Sequence, residues 1–336
     1  MRALYNNDAR SSMALSAKQR MRLDDLVNAL GSPELPLITK KCLCGRDNDA
    51  SSWVISEKDR LGIPVRIVLC LVCGLIRNDM ALNDEGMRHF YQNYYRDIWD
   101  VDVAVQSYFA GQVKRGQDFY RFMLYQGILG DIHSVTEIGC GAGGVLVPFS
   151  TSGMMCCGFD YDEGYVAFGQ SQGLDLRLGD FRDLVADNSV DLIILSHVME
   201  HFSNPLSEMV DVIGKVKEMH YLVVEVPGIF MVGGYYRLLH FFQFAHVYTF
   251  YQAYLNVFFK SLNMEILYGD ETCRFLLRKP AGWAPPTFGD IYDPSLTSYA
   301  AKIITKLKIK YWLDRIHLNK ILHAFAAGKE QLPPSR

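Results

Sequence analysis

The chain has 336 residues, enough for one large or two moderate domains with a sizeable buried core. Hydrophobic residues make up 49% of it and charged residues 21%, which is ordinary for a soluble globular protein. Its 34 basic and 37 acidic side chains leave a net charge of −3, which gives no overall attraction to nucleic acid. We therefore expect no nucleic-acid partner.

The N-terminus lacks the apolar run of a signal peptide, so we expect a cytoplasmic protein. Residues 1–35 predict a polar, partly helical lead-in that closes at Gly31. Aromatic residues are dense over 228–264, but Arg237 and His240 interrupt the stretch. No clean apolar run of about 18 residues occurs there, so we expect no transmembrane helix.

Four of the eight cysteines lie in one short region, in two pairs that are each followed by glycine. They are Cys42, Cys44, Cys70 and Cys73. Four thiolates can close a tetrahedral zinc shell, and the glycines let the chain curl around the sulfurs. Residues 36–100 therefore predict a small zinc-ribbon-like module whose Zn²⁺ is structural, because a closed shell leaves no open position. Four free structural cysteines are the alternative, since the first pair is CxC rather than CxxC.

From residue 135 short apolar runs alternate with helix-length segments. The predicted strands are VTEIG, CCGFD, LDLRLGD, VDLIILS, YLVVEVP, MEILYGD and CRFLLRK. Helices are predicted around 145–152, 164–172 and 206–219, and residues 101–130 have helical spacing as well. This alternation predicts an α/β domain with a mostly parallel sheet and helices on both faces. The last two strands suit an antiparallel hairpin at the sheet edge.

A glycine-rich loop from Glu137 to Gly144 follows the first of these strands and precedes a helix. Glycines permit a tight turn and close approach of the backbone to a ligand, and the helix N-terminus adds N–H donors. Gly139, Gly141 and Gly144 also satisfy the dinucleotide fingerprint, so the loop alone does not decide between cofactors. Asp160 ends the second strand about twenty residues later, where a carboxylate can accept both ribose hydroxyls of either cofactor.

The segments at the ends of the third and fourth predicted strands help to distinguish between the possible cofactors. Asp180 and Phe181 end the third strand, where an acid beside an apolar ring can hold an adenine. The fourth strand closes in SHVMEHF, residues 196–202. In series, these motifs resemble the class I S-adenosylmethionine-dependent methyltransferases. The resemblance implies a Rossmann-like, seven-stranded, mostly parallel sheet over residues 101–282, with S-adenosyl-L-methionine as cofactor.

The same resemblance assigns roles to single residues. It places Glu137, Gly139, Gly141 and Gly143 at the methionine end of the cofactor, Asp160 at the ribose, Asp180 and Phe181 at the adenine, and Ser196 and His197 at the rim beside the sulfonium. The segment from His197 to His201 also matches H-x-x-E-H, the inverted zinc-protease pattern. That chemistry requires both histidines on one helical face, whereas here the first ends an apolar strand.

Further motifs extend the resemblance towards the N-terminus. With the cysteine pairs and the segment CGLIRNDMALNDEGMRHFYQNYYRDIW included, residues 40–279 resemble zinc-ribbon-headed methyltransferases of bacterial surface-polysaccharide and deoxysugar gene clusters. Asn78-Asp79 stands where that family usually has Asn-Pro. This resemblance implies O-methylation of a sugar, as a nucleotide sugar or a glycan end. Two alternatives stay open: C- or N-methylation of a deoxysugar or other small metabolite, and a non-catalytic methyltransferase-like binding subunit.

Two histidines are candidates for the chemistry. His246, in FAHVYTF, resembles the H-x-x-x-F segment in which these families use a histidine for acid/base work. A hydroxyl acceptor must lose its proton, and a neutral imidazole suits that task near neutral pH. His246 is the first candidate and His201 the second, with a packed core histidine as the alternative for each. Ala245 replaces the glutamate of the carbon-methylating relatives, and Tyr94 and Tyr95 are expected to line the acceptor pocket.

Residues 283–336 predict a basic helical tail, and its predicted helical region, residues 296–325, has many basic residues and one acidic residue, Asp314. The basic side chains are Lys302, Lys306, Lys308, Lys310, Arg315 and Lys320. Such a helix packs on the main domain or on a second subunit of a homodimer, or it lies on an anionic membrane surface at the inner membrane.

Overall fold

A computed structural model describes residues 1–46, 49–99, 104–234, 237–287 and 289–316. The predicted tail beyond residue 316, which includes Lys320, lies outside the described residues. In the described ranges, no helix combines the length and the apolar character needed to cross a membrane.

The N-terminal part of the chain combines short helices with small sheets. Helix α1 (Ala17–Ala29) begins at Ser16, which exchanges hydrogen bonds with Gln19 in a capping box. The strands of this part are β1 (Leu37–Thr39), β2 (Ser52–Lys58), β3 (Pro64–Cys70), β4 (Ile76–Asn78) and β5 (Met80–Leu82). Its other helices are α2 (Asp84–Phe90) and α3 (Arg96–Trp99). Residues 91–95 form a π-helical turn between them.

The rest of the described chain alternates strands and helices, as the sequence predicts. The strands are β6 (Ser134–Ile138), β7 (Met155–Asp160), β8 (Leu176–Leu178), β9 (Val190–Ser196), β10 (Val216–Glu225), β11 (Tyr248–Thr249), β12 (Glu265–Gly269) and β13 (Arg274–Arg278). The helices are α4 (Val105–Tyr125), α5 (Val147–Thr151), α6 (Glu163–Ser171), α7 (Phe181–Leu184), α8 (Pro205–Lys215), α9 (Gln252–Ser261) and α10 (Thr297–Arg315).

One predicted helix is too long. The prediction of a helix over 206–219 is wrong at its end, because α8 stops at Lys215 and Val216 takes an extended backbone. Val216 is the first residue of β10 and pairs with Val190 of β9. The apolar residues at the start of β10 happen to continue the helical spacing of α8, which is why the sequence predicted too long a helix.

The main sheet has seven strands within the described residues, in the order β12-β13-β10-β9-β6-β7-β8. Strands β6 to β10 run parallel to one another. Strand β13 is antiparallel to both β10 and β12, so the predicted hairpin at the sheet edge is confirmed. The predicted mostly parallel, Rossmann-like α/β sheet is confirmed as well.

Both faces of this sheet are covered by helices. Alternate side chains of β9 point to opposite faces, as in any strand. Leu192 and Ile194 pack with residues of α4, α5 and α6 in one cluster. Ile193 and Leu195 pack with residues of α8 and α9 in a second cluster, which continues into the N-terminal part. The central strand is apolar on both faces for this reason.

A segment that follows β10 returns to the N-terminal part. Strand β11 pairs antiparallel with β4 in a sheet of order β11-β4-β3-β2. Asn78 Nδ2 donates to the Phe244 carbonyl oxygen at 2.9 Å. The backbone N–H of Asp79 donates to the Arg66 carbonyl at 2.9 Å, a bond that proline cannot make. The turn at Asn78-Asp79, where the resembled family has Asn-Pro, is therefore well supported by hydrogen bonds.

Helix α10 packs on the body of the protein. Ala300, Ile303 and Leu307 are buried on its inner side. The Lys306 ammonium donates to the Phe230 carbonyl. Three basic side chains are exposed on the helix: Lys302, Lys308 and Arg315. The first half of the tail is thus a packed helix with a basic outer side.

Candidate functional site

A cavity of about 700 Å³ lies at the carboxyl ends of the parallel strands. Ligands of open α/β sheets bind at this edge. Of the predicted site residues, the cavity is lined by Glu137, Gly139, Gly141, Asp160, Asp180, Phe181, Ser196, His197, His201 and His246. Tyr95 lines it too, whereas Tyr94 is not among the lining residues of the described chain. The fold thus brings the predicted cofactor motifs and both candidate histidines into one site.

The glycine loop forms a cradle that side chains would fill. Gly139 and Gly141 both have positive φ, at 68° and 54°. A Cβ atom on Gly141 would lie 2.7 Å from Tyr108 Oη, and one on Gly139 would lie 2.6 Å from Val198 Cγ2. Both positions therefore require glycine on grounds of conformation and of space.

Gly143 has a different role in the structure from the one that the resemblance implies. It is not among the lining residues of the described chain, and it precedes the short 3₁₀ turn Gly144–Leu146. A Cβ atom on Gly143 would lie 2.8 Å from Leu176 Cδ2. Its lack of a side chain lets the loop pack against β8, so it supports the cradle from behind.

Glu137 places a buried carboxyl beside this loop. The residue is 1% exposed, and its Oε2 has no hydrogen-bond partner among the described residues. Burial, with the nearby charge of Asp160, raises the pKa of Glu137 well above its usual range. A buried acceptor without a partner is costly, and a positively charged ligand group would satisfy it. The cationic methionine end of S-adenosylmethionine fits this requirement.

Asp160 braces the glycine loop from the end of β7. Its Oδ2 accepts from the Gly141 N–H at 2.7 Å, and its Oδ1 accepts from the Asp162 N–H at 2.8 Å. Burial raises its pKa, while these hydrogen bonds lower it in part. Each carboxylate oxygen can accept a second bond, so ribose hydroxyls fit here as predicted.

Asp180 is already engaged by neighbouring side chains. It accepts from the Arg182 backbone N–H at 3.0 Å and from Arg182 Nε at 2.9 Å. Tyr161 Oη donates to it at 3.0 Å. Burial raises the pKa of Asp180, but the bonds from Arg182 outweigh burial and lower the pKa overall. An adenine amino group would have to share this carboxylate with Arg182, whereas the Phe181 ring is buried in the cavity wall.

The rim of β9 carries an ionised histidine. His197 has a φ of 58°. Its Nδ1 is 3.4 Å from Glu200 Oε1, and its Nε2 is 3.6 Å from Glu225 Oε1. Burial lowers the pKa of His197, but the two carboxylates outweigh burial and raise it to about 9. Ser196 beside it accepts from Arg115 Nη1 at 3.1 Å.

The two candidate catalytic histidines are in contact. The ring centroids of His201 and His246 are 4.8 Å apart at nearly a right angle. His201 Nδ1 is 2.9 Å from the Ala245 carbonyl oxygen and 2.8 Å from Tyr91 Oη. Burial lowers the pKa of His201, and burial lowers the pKa of His246 to about 3. Both rings are therefore neutral near pH 7.

Sequence reasoning gave no role to Glu200 or Tyr91. Glu200 belongs to the SHVMEHF motif. Its carboxylate lies within 4.0 Å of ring nitrogens of His197, His201 and His246. Its signal in the sequence was an acid next to a histidine at the end of a buried strand. Tyr91 comes from the N-terminal part, and its contact with His201 spans 110 residues, so no local pattern could reveal it.

The four clustered cysteines come together in the N-terminal part. All four are buried, and their sulfurs lie within 4.8 Å of one another. Cys42 Sγ is 3.5 Å from Cys73 Sγ, and Cys44 Sγ is 3.7 Å from Cys70 Sγ. Sulfurs bound tetrahedrally to zinc at about 2.3 Å are about 3.8 Å apart. The cluster therefore has the shape of a closed four-sulfur metal site, including its CxC pair.

Comparison with known families matches residues 104–268 to the family described as "Methyltransferase domain". A search among curated proteins finds no significant match. The match covers the α4 helix, the glycine loop, the sheet as far as β12 and both candidate histidines.

Solved structures show a likeness in part of the fold. A SAM-dependent methyltransferase from Archaeoglobus fulgidus is 18% identical, with 60% of this chain and 93% of that chain covered and a TM-score of 0.38. A SAM-dependent methyltransferase from Methanosarcina mazei is 14% identical. The match covers 47% of this chain and 97% of that chain, with a TM-score of 0.39. The [4+2]-cyclase SpnF is 18% identical, with a TM-score of 0.26. The match covers 28% of this chain and only 38% of the cyclase.

Proposed function

We propose that the protein is a class I S-adenosylmethionine-dependent methyltransferase and that it methylates a hydroxyl of a sugar. The match of residues 104–268 to the methyltransferase-domain family supports the first part. The sugar would be a nucleotide sugar or a glycan end in bacterial surface-polysaccharide biosynthesis. The observation that carries this proposal is that the glycine loop and the His201–His246 pair line the same cavity. Such a cavity allows an acceptor to meet the methyl donor beside groups that can assist loss of a proton.

The chain's own residues suit the cofactor. The methionine end would lie in the cradle of Gly139 and Gly141, with its charge beside Glu137. Asp160 would hold the ribose, and Phe181 would pack against the adenine. S-adenosyl-L-methionine would supply the methyl group from its sulfonium. Four cysteines would hold a structural Zn²⁺ that supports the N-terminal part.

The histidine pair would act on the acceptor. His246 is the first candidate to assist removal of the hydroxyl proton, and His201 is the second. The ring of His201 is oriented by the Ala245 carbonyl and Tyr91. Fixing the ring in this way serves catalysis, because a reacting group must be held in the productive geometry.

The lining of the acceptor side supports a polar, hydroxyl-rich acceptor. Asp84, Arg60 and Tyr91 contribute side chains from the N-terminal part, and Gln243 contributes one from the segment that precedes β11. Polar groups that converge on one pocket fix the orientation of a ligand through hydrogen bonds. A wholly apolar acceptor would form no hydrogen bonds with these groups.

Incubation with methyl-labelled cofactor and a panel of nucleotide sugars and glycan acceptors tests the proposal. We expect labelled product by mass spectrometry, and NMR should show the labelled carbon bonded to oxygen. Label on carbon or nitrogen would support the alternative methyltransferase activities instead. Absence of cofactor binding by calorimetry would support a non-catalytic binding subunit.

A further inference from the structure

Glu200 is a buried carboxylate that is surrounded by imidazoles but has no hydrogen bond. It is 1% exposed, and neither carboxylate oxygen has a hydrogen-bond partner among the described residues. The ring nitrogens near Oε1 are His197 Nδ1 at 3.4 Å, His201 Nε2 at 3.8 Å and His246 Nε2 at 4.0 Å. The ionised His197 offsets part of the carboxylate charge, but both buried oxygens still lack hydrogen bonds, and a metal ion would satisfy them.

His201 turns a lone pair towards this carboxylate. Its Nδ1 is 2.9 Å from the Ala245 carbonyl oxygen, which can only accept, and 2.8 Å from Tyr91 Oη, which can accept or donate. The tautomer with its hydrogen on Nδ1 is the one that allows a hydrogen bond to the carbonyl. In the neutral ring, Nε2 then presents its lone pair to Glu200 Oε1 across 3.8 Å. Histidines that ligate metals show this arrangement, with one nitrogen on the ion and the other donating to a carbonyl or carboxylate.

We infer that Glu200, His201 and His246 form a binding site for a divalent transition-metal ion. Their ligand atoms lie within 4.8 Å of one another. Two ligand atoms at about 2.1 Å from one ion are about 3.0–3.4 Å apart, so shifts of about 1 Å or less close the shell. Two imidazoles and one carboxylate favour a first-row transition ion over calcium.

The position of the proposed metal site suggests what a bound ion would do in the reaction. His201 and His246 both line the cavity of the glycine loop, so the open positions of the ion face the acceptor. A hydroxyl that binds there becomes more acidic. The two histidines would then hold the ion that acidifies the hydroxyl, and the released proton would pass to solvent water that enters the cavity. This use rests on the proposed function, whereas the binding of the ion does not.

Manganese(II) is a suitable probe, because it prefers oxygen and nitrogen ligands and does not compete for the four-cysteine cluster. The intact protein, freed of loosely bound metal by dialysis, is titrated with Mn²⁺ while electron paramagnetic resonance measures the free ion. We expect about one Mn²⁺ per chain. Glu200→Gln should weaken binding by about 100-fold or more, since loss of a supporting partner alone costs about 10–100-fold.

His220→Ala is the matched control, because His220 lies on β10 and is not among the residues that line the cavity in the described chain. It should bind Mn²⁺ as the native protein does. Circular dichroism shows whether Glu200→Gln is folded, and His201→Gln repeats the test if it is not. A native protein that binds no Mn²⁺ and holds no metal beyond the cysteine site overturns the inference, as does equal binding by Glu200→Gln. Methyl transfer to a sugar is measured separately, so either proposal can fail alone.

Discussion

The two halves of the cavity are built in different ways. The cofactor half, residues 137–197, is one continuous stretch whose loops follow successive strands of a single sheet. The acceptor half joins segments that are far apart in the chain. The Asp59 carboxylate accepts from the backbone N–H of Leu61 and Ile63 and from that of Phe244, 185 residues away.

This difference has a consequence for function. The segment that carries His246 is held by Asp59, by Asn78 and by the pairing of β11 with β4. All three belong to or contact the N-terminal part. The glycine loop is held instead by Asp160, by Gln112 of α4 and by backbone hydrogen bonds to Phe159 and within the loop. We therefore expect cofactor binding and acceptor chemistry to be lost by different substitutions.

Cys70→Ser should have the largest effect. Structural zinc contributes about 10–16 kcal/mol in zinc-finger peptides, so opening the shell should loosen the N-terminal part. Zinc content should fall from about one ion per chain to almost none, and turnover should be lost with it. Cofactor affinity should stay within about three-fold, because distant sites are usually independent. Elemental analysis and calorimetry measure these quantities.

Cys156→Ser is the control for that variant, since Cys156 lies on β7 outside the cysteine cluster. It should retain both metal and turnover. A comparable loss of cofactor affinity in Cys70→Ser would contradict the separation of the two halves.

His246→Gln should have the next largest effect. Loss of a group that assists proton removal usually costs about 10²–10⁴-fold in rate. We expect turnover to fall by this amount while cofactor affinity is unchanged, because the histidine lies on the acceptor half. Steady-state kinetics and calorimetry check the two statements. Near-native turnover in this variant, with an inactive His201→Ala, would move the assignment to His201.

The same difference explains what the sequence could predict. The positions of Glu137, Gly139, Gly141 and Asp160 in the cavity were predictable because all four lie at or just beyond the carboxyl end of a strand, and such ends of parallel strands meet at one edge. Gly143 was assigned to the cofactor because spacing cannot distinguish a glycine that faces a ligand from one that faces a strand. The sheet and its edge hairpin were predictable from alternation, but the end of α8 was not.

The acceptor half was less accessible to sequence reasoning. Contacts such as Tyr91 with His201 and Asn78 with Phe244 join residues 110 and 166 positions apart. Such contacts depend on how the two parts of the chain pack, which no local pattern records. Glu200 shows a second limit, because its importance comes from three histidines around it, and only His197 and His201 are near it in the chain.

Asp160→Ala tests the cofactor half. It should weaken cofactor binding by about 2–3 kcal/mol, since charge-assisted bonds to the ribose are lost. Part of the loss would come from the glycine loop, because Asp160 also accepts from the Gly141 N–H. Calorimetry gives the affinity. Asp175→Ala, an exposed acid that precedes β8, is the control and should bind normally. Unchanged affinity in Asp160→Ala would contradict the ribose role.

Glu137→Gln should have the smallest effect on affinity and sharpens the comparison most. Glutamine cannot carry the negative charge, so cofactor binding at pH 8 should weaken by about 1–2 kcal/mol. In the native protein, burial raises the pKa of Glu137, so the free protein holds a proton that an exposed glutamate would have lost. A cationic ligand favours the ionised carboxyl and lowers this pKa again. Binding should therefore release a proton, and affinity should rise with pH until the free carboxyl is itself ionised.

Calorimetry in two buffers of different ionisation enthalpy measures that proton release. The observed heats should differ between the buffers for the native protein. They should differ much less for Glu137→Gln, with the remainder arising from Asp160, whose pKa burial also raises. Asp175→Ala should behave as the native protein does, since Asp175 is exposed. Equal heats in both buffers for the native protein would mean that Glu137 does not face the charge of the cofactor. The buried acceptor beside the glycine loop would then serve the fold of the loop rather than the binding of the cofactor.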